Sequence, residues 1–304
     1  MVATLTSSTP HGVLSLRRPY VRRCLVWLVF LHLLYRYYRY KRCSFPLRLR
    51  CERQPMLAFS GSGWLFAYYH GIAMYFRDNF VLDGLRLSAI SGGCSTILAL
   101  GLGLDLHQIL LLGLHFKQRM VKEGVYLNSF GRYVKILSSM MKTAGLTNMD
   151  LQILSSQRRC FMGVTQCFPF RHRCISIPPT VEELASLWLC SCCVPPFFST
   201  LGTFQERHYV DGCFSAVWSI PAEQDWSDVI SVTSVPLPSM MAADLQPSKL
   251  SMGLMLYPYP WAQQRVMIKQ GYQDAQRRHS HLVSRGMRPL PHGPLMCWSE
   301  WEAI

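Results

Sequence analysis

A serine set between an apolar run and two glycines is the first residue in this chain whose surroundings could do chemistry. In Ala89-Ile90-Ser91-Gly92-Gly93, the preceding run Leu85 to Ile90 alternates with Arg86 and Ser88 as a strand does. The small, apolar stretch Cys94 to Leu104 that follows reads as a buried helix. A serine on such a sharp strand-to-helix turn has a protruding Oγ, backbone N–H groups aimed at any developing anion, and a helix dipole that favours that anion. The turn tolerates only small neighbours, and Ala89, Gly92 and Gly93 supply them. The nucleophile pattern G-x-S-x-G is met with Ala in its first place, although a bare S-G-G turn is more often structural than catalytic.

Two further stretches could complete such a site. In "AFSGSGW", residues Gly61, Ser62, Gly63 and Trp64 lie between a short strand and a helix, where a glycine-rich turn presents bare amides. Acyl transfer needs donors preorganised for a tetrahedral oxyanion, each worth about 3 kcal/mol. A nucleotide-phosphate loop is the other use of such a turn, but the third glycine and the Lys-Ser/Thr pair of those loops are missing here. In "YVDGC", Asp211 is a carboxylate at the end of a short strand, which would be an ordinary Asp-Gly turn if it stood alone.

The elements that must position these residues are legible in outline. Met56 to Ser60 predicts a buried strand and 64–79 an aromatic-rich helix; Leu85 to Ile90 and the helix from Gly92 repeat the unit. Two strand-turn-helix units in succession predict a mainly parallel sheet with helices on its faces. Helices are expected over 105–120, 130–142 and 261–283, with strands over 160–166, 173–177, 208–210 and 228–235. Thr180 and Glu183 form a capping box for a helix that must end before Pro195.

Charge locates a second region. Ten of the 31 Lys and Arg residues fall within residues 1–51, which hold no acid, so the net +14 belongs to an arm and the remainder is close to balance. The arm's apolar run Leu25 to Leu34 is too short to span a bilayer and fits an interfacial helix, with Trp27 and Tyr35, Tyr37, Tyr38 and Tyr40 at headgroup level. A mitochondrial transit peptide and a signal sequence are the alternatives for such an end. No nucleic-acid module follows it, so no nucleic-acid partner is expected. Twelve cysteines are too sparse for a disulfide scaffold and read as buried thiols in a reducing compartment. The expected organisation is a basic arm over 1–54, one α/β domain over 55–285, and a Pro-rich tail over 286–304.

Taken together, the three stretches resemble the patatin-like phospholipases, and within them the animal branch of adiponutrin and adipose triglyceride lipase. That branch carries a loop of the form G-C-G-F-L-G-x-Y-H-x-G, read here as Gly61-Ser62-Gly63-Trp64-Leu65-Phe66-Ala67-Tyr68-Tyr69-His70-Gly71. The elbow falls on Ser91 and the D-G-[GA] motif on Asp211-Gly212-Cys213. The resemblance implies an α/β/α sandwich and a Ser–Asp pair that cleaves lipid esters through an acyl-enzyme, with water or an acceptor alcohol taking the acyl group. Ser91 would be nucleophile and Asp211 general base. Gly61, Ser62, Gly63 and Trp64 would bind the oxyanion, with Ala89, Gly93 and Gly212 supporting the elbow. No metal or cofactor is implied. The partners implied are a lipid substrate and, through the basic arm, an intracellular membrane or lipid-droplet surface.

Three positions depart from the pattern: Ala89 and Cys213 replace small residues, and Phe66 stands where a glycine is usual, where its bulk could narrow the site's mouth. Two rival readings follow. A catalytically degenerate fold could serve as a lipid-binding module. Alternatively, Ser91, Asp211 and either His279 or His281 satisfy the chain order of an α/β-hydrolase triad.

Overall fold

The computed structural model describes residues 55–123, 130–195, 200–237, 243–248 and 260–291. The arm over 1–54 and most of the tail lie outside the described residues. Strands are β1 (Met56–Phe59), β2 (Arg86–Ile90), β3 (Cys160–Gln166), β4 (Arg171–Ser176), β5 (Gly202–Phe204), β6 (Arg207–Asp211) and β7 (Val229–Val232). Helices are α1 (Phe66–Asn79), α2 (Cys94–Leu102), α3 (Leu106–Glu123), α4 (Phe130–Thr143), α5 (Asn148–Gln157), α6 (Val181–Ser191), α7 (Trp261–Arg277) and α8 (His279–Ser284). One seven-stranded sheet runs β5-β6-β3-β2-β1-β7, with β4 also pairing with β3. β3, β2, β1 and β7 are parallel, and β4, β5 and β6 add the antiparallel part. The mainly parallel sheet flanked by helices is the α/β fold class expected from the sequence.

Two-residue alternation along the strands divides the core. Leu57 and Phe59 of β1 join the larger cluster, which includes the helices' apolar faces. Met56 and Ala58 face the other way and pack with Phe161, Trp218, Val229 and Ala243.

β3 uses its two edges differently, and this places the site. One edge pairs with β4 along the whole strand, from Phe161 opposite Ser176 to Gln166 opposite Arg171. The other edge is shared: β2 runs parallel to its first half, ending at Ile90 opposite Gly163. β6 then runs antiparallel to its second half, ending at Asp211 opposite Val164. Hydrogen-bond parity agrees: Arg159 O accepts from Leu87 N–H and Cys167 N–H donates to His208 O, whereas Cys160 O accepts from Ile177 N–H on the β4 side. β2 and β6 therefore meet end to end, with Ser91 leaving one tip as Asp211 closes the other.

α1 carries the glycine-rich turn at its start and is buried on nearly every side, as expected of a helix apolar all round. Its closest partner is α7, and the two backbones touch through reciprocal glycines. A Cβ on Gly71 would lie 1.9 Å from Ile268 O, and one on Gly271 would lie 2.0 Å from Tyr68 O. Tyr68 Oη donates to Asp274 Oδ2 at 3.0 Å across the same crossing.

Several elements differ from expectation. α5 and β5 were not legible: α5 buries Leu151 and Leu154 but exposes Met149 and Ile153, so its apolar residues form no stripe, and β5 is three residues long. β7 stops at Val232 because Thr233 and Ser234 turn to bond Ser60 and Tyr69. The last helix breaks at Arg278 into α7 and α8. The start of the tail docks on the domain, with Val81 N–H donating to Arg288 O and Leu290 N–H to Asn79 O.

The helix crossing makes a prediction. Gly71→Ala or Gly271→Ala should force the backbones of α1 and α7 apart and destabilise the protein by about 2–3 kcal/mol or more. The double variant should cost less than the sum of the singles, because the two residues share one contact. Denaturant titration of the three variants measures both.

Candidate active site

β2 ends where the chain turns at Ser91, whose φ of 56° lies in the left-handed region that a serine adopts only under constraint. The constraint comes from α6. Ser91 N–H donates to Ser191 Oγ at 2.8 Å, and Ser191 Oγ–H donates to Gly163 O at 2.7 Å. Gly163 is the β3 residue at which β2 ends, so the Ser191 hydroxyl fills the gap where the shared edge changes partner. Sequence reasoning missed Ser191, because a serine near the end of an apolar helix carries no local signal.

The elbow's small residues are enforced by contact. A Cβ on Gly92 would lie 2.4 Å from both Gly63 O and Ser62 Oγ, and one on Gly93 would lie 3.2 Å from Phe59 Cβ and 3.3 Å from Ala89 Cβ. Gly212 is equally confined, with Gly163 O at 2.5 Å from its would-be Cβ. Ala89, Gly93 and Gly212 thus lie where the turn, β1 and β3 converge.

Asp211 is held at backbone and side chain. Its N–H donates to Cys193 O at 2.8 Å, its O accepts from Thr165 Oγ1 at 2.8 Å, and its Oδ1 accepts from Cys213 N–H at 2.8 Å. The Ser91 hydroxyl and the Cys213 thiol also lie close enough to act on the carboxylate's ionisation. Ser91 and Asp211, 120 positions apart, are therefore neighbours, and both are buried. Burial raises the Asp211 carboxyl to about 6 against the opposing pull of these donors. Burial likewise raises the thiols of Cys94, to about 12, and of Cys192 and Cys213, so the residues around the carboxylate add no charge at neutral pH.

The glycine-rich turn lies against the elbow. A Cβ on Gly92 would sit 3.3 Å from Gly63 N, and Gly63 itself has a φ of 52°. Ser62, Gly63 and Trp64 lie at the start of a 3-10 turn, where N–H groups have no preceding carbonyl in register. Gly61, just before it, lies against Cys213: a Cβ there would lie 2.1 Å from that sulfur. The amides of Ser62, Gly63 and Trp64, with Gly61 before them, are thus grouped beside Gly92 of the elbow. Behind the turn, Ser60, Tyr69 and Thr233 form a buried network, with Tyr69 Oη donating to Ser60 O at 3.0 Å.

Phe66 follows this turn at the start of α1. Its ring is buried against α3, where a Cβ on Gly113 would lie 3.1 Å from it, so a missing side chain on α3 makes room for the added one on α1. The histidine triad is not assembled. His279 Nδ1 bonds Tyr75 Oη at 2.8 Å and its ring stacks on Phe80, while His281 Nε2 bonds Asp244 Oδ1 at 2.8 Å. Neither reaches Ser91. His70, buried in α1, bonds Phe66 O through Nδ1, and desolvation holds it near 4 and therefore neutral.

This arrangement can pass a proton from a serine hydroxyl to a carboxylate and offer amides to the resulting oxyanion. Because the Asp211 carboxyl is raised, the folded state holds its proton more tightly than the unfolded chain does. Stability linked to this group is complete below about pH 4 and is lost as pH rises through about 6. Asp211→Asn should therefore stabilise the protein at pH 8 by up to about 3 kcal/mol and by little at pH 4, which thermal or urea unfolding at the two pH values will show.

No protein-family model matches the sequence, and no curated protein matches it. Among solved structures, VipD from Legionella pneumophila is similar, with a TM-score of 0.54 at 13% identity over 76% of this chain and 67% of VipD. ExoU, in its heterodimeric complex with SpcU from the type III secretion system of Pseudomonas aeruginosa, aligns with a TM-score of 0.43 at 16% identity over 77% of this chain and 52% of its own. The likeness to VipD is one of fold.

Proposed function

We propose that the chain is a lipid acyl hydrolase of the patatin-like type, cleaving carboxylic esters of membrane or storage lipids with Ser91 as nucleophile and Asp211 as general base. The observation that supports this reading is the juxtaposition of Ser91 and Asp211 at the junction of β2 and β6, where the serine hydroxyl acts on the carboxylate. The chemistry follows from the two groups. Ser91 Oγ adds to the acyl carbonyl as its proton moves to Asp211, and the tetrahedral oxyanion is held by the amides of Ser62, Gly63 and Trp64. Collapse expels the lipid alcohol, which takes the proton from Asp211. Water, activated by the same carboxylate, then releases the fatty acid; an acceptor alcohol in its place gives transacylation.

A carboxyl at about 6 suits this role, since a general base works best when its pKa is close to the operating pH. The packing of Phe66 against Gly113 weighs against one of the two grounds for a degenerate lipid-binding module, the other being the basic arm, and the positions of His279 and His281 favour the two-residue site over a triad. Association with an intracellular membrane or lipid-droplet surface through the basic arm completes the proposal.

Turnover of a short-chain nitrophenyl ester and of phospholipid vesicles tests it. Ser91→Ala should abolish activity and Asp211→Asn should lower kcat by about 10²- to 10⁴-fold. Replacing His279 and His281 together should leave turnover intact. Wild-type kcat should rise with pH to a plateau above about 6. Undiminished turnover in Ser91→Ala would overturn the assignment.

A further inference from the structure

Beyond the site, β3 continues past the level of Asp211 and turns back as β4. β3 runs two residues beyond Val164, which lies opposite Asp211, before the turn begins, so the hairpin tip stands at least about 7 Å further out along the strand direction. The tip is apolar and exposed: Phe168 is 80% exposed and Phe170 54%, on either side of Pro169. Scattered exposed apolar residues are ordinary, but two phenylalanines at one turn, ringed by one sign of charge, are not.

The ring is basic. Arg171 and Arg173 alternate along β4 and both donate to Gln166 Oε1, at 3.4 and 3.0 Å. The turn between β5 and β6 emerges at the same end of the sheet and brings Arg207. All three guanidinium groups act on the hydroxyl of Tyr209, which marks them as one cluster. Against them stands one carboxylate in that turn, Glu206. Among the described residues none of the three arginines is in an ion pair.

We propose that the β3–β4 tip, with Phe168 and Phe170 inserted and Arg171, Arg173 and Arg207 at headgroup level, docks the domain on an anionic lipid surface. Aromatic side chains enter the interface while arginines meet lipid phosphates, which is how amphipathic elements hold a bilayer surface. The choice of a lipid partner rests on the acyl-hydrolase reading, because the tip rises from the same end of the sheet as Ser91 and Asp211. A bilayer seated there would lie on the side from which an ester must approach.

The test uses the full chain carrying Ser91→Ala, so that binding is read without turnover. In cosedimentation with vesicles of phosphatidylcholine and phosphatidylserine, Phe168→Ala with Phe170→Ala should weaken binding about tenfold or more. Arg171→Gln with Arg207→Gln should weaken binding to the phosphatidylserine vesicles and leave binding to phosphatidylcholine alone unchanged. A tip-specific signal separates this element from the basic arm: Phe168→Trp should add a fluorescence component that is quenched by lipids brominated along the acyl chain. Unchanged vesicle binding in the phenylalanine variant, or an added tryptophan that brominated lipid does not quench, overturns the proposal. So does a lipid-independent dimer that the phenylalanine variant dissolves, which would assign the tip to a second copy of the chain. Each readout is an equilibrium property of a chain without its nucleophile, so its failure is distinct from failure of the ester assay.

Discussion

The site rests on the division of one edge of β3 between two strands that arrive from opposite directions. Each residue on that edge can satisfy one neighbour, so where β2 stops β6 can begin, and the residues at their tips must meet. That is why a serine and a carboxylate so distant in the chain stand side by side. The junction leaves Gly163 O and Ser91 N–H without strand partners, and the Ser191 hydroxyl serves both. An unmade bond to a buried backbone group costs about 1–3 kcal/mol, which α6 avoids by ending with that one side chain in place.

The arrangement stores cost at its centre. A non-glycine residue held at positive φ costs roughly 1–3 kcal/mol, and the Asp211 carboxylate sits in a setting that favours its neutral form. Both are tolerated because the surroundings are over-determined. Gly92, Gly93 and Gly212 each touch atoms that no side chain could displace cheaply. Cys213 adds to this confinement: its N–H donates to Asp211 Oδ1 and its sulfur packs against Gly61, so one residue touches both the glycine-rich turn and the carboxylate.

Much of this could be read in the chain. Ser91, the Gly61 to Trp64 turn and Asp211 stood out because glycine and small residues beside a polar group mark close backbone approach, which is a local property. The central strands were legible from their alternation. What escaped reading depends on partners distant in sequence. Ser191 matters through Gly163, the Phe66 ring finds its room at Gly113, and Gly61 packs against Cys213. The histidines at 279 and 281 satisfied a chain order, but chain order carries no information on which face of the domain a helix packs.

The paired glycines of α1 and α7 carry a further consequence. α1 begins directly after the glycine-rich turn, and its outer flank is covered by a helix that starts only at Trp261, after every described strand. Domains begin folding from the N-terminus during synthesis, so on the ribosome the sheet can be complete while Tyr68, Gly71 and Ile72 still await their cover. The final clamp on the reaction centre is therefore added late, and a nascent chain halted before Trp261 would emerge with its sheet built and its first helix bare.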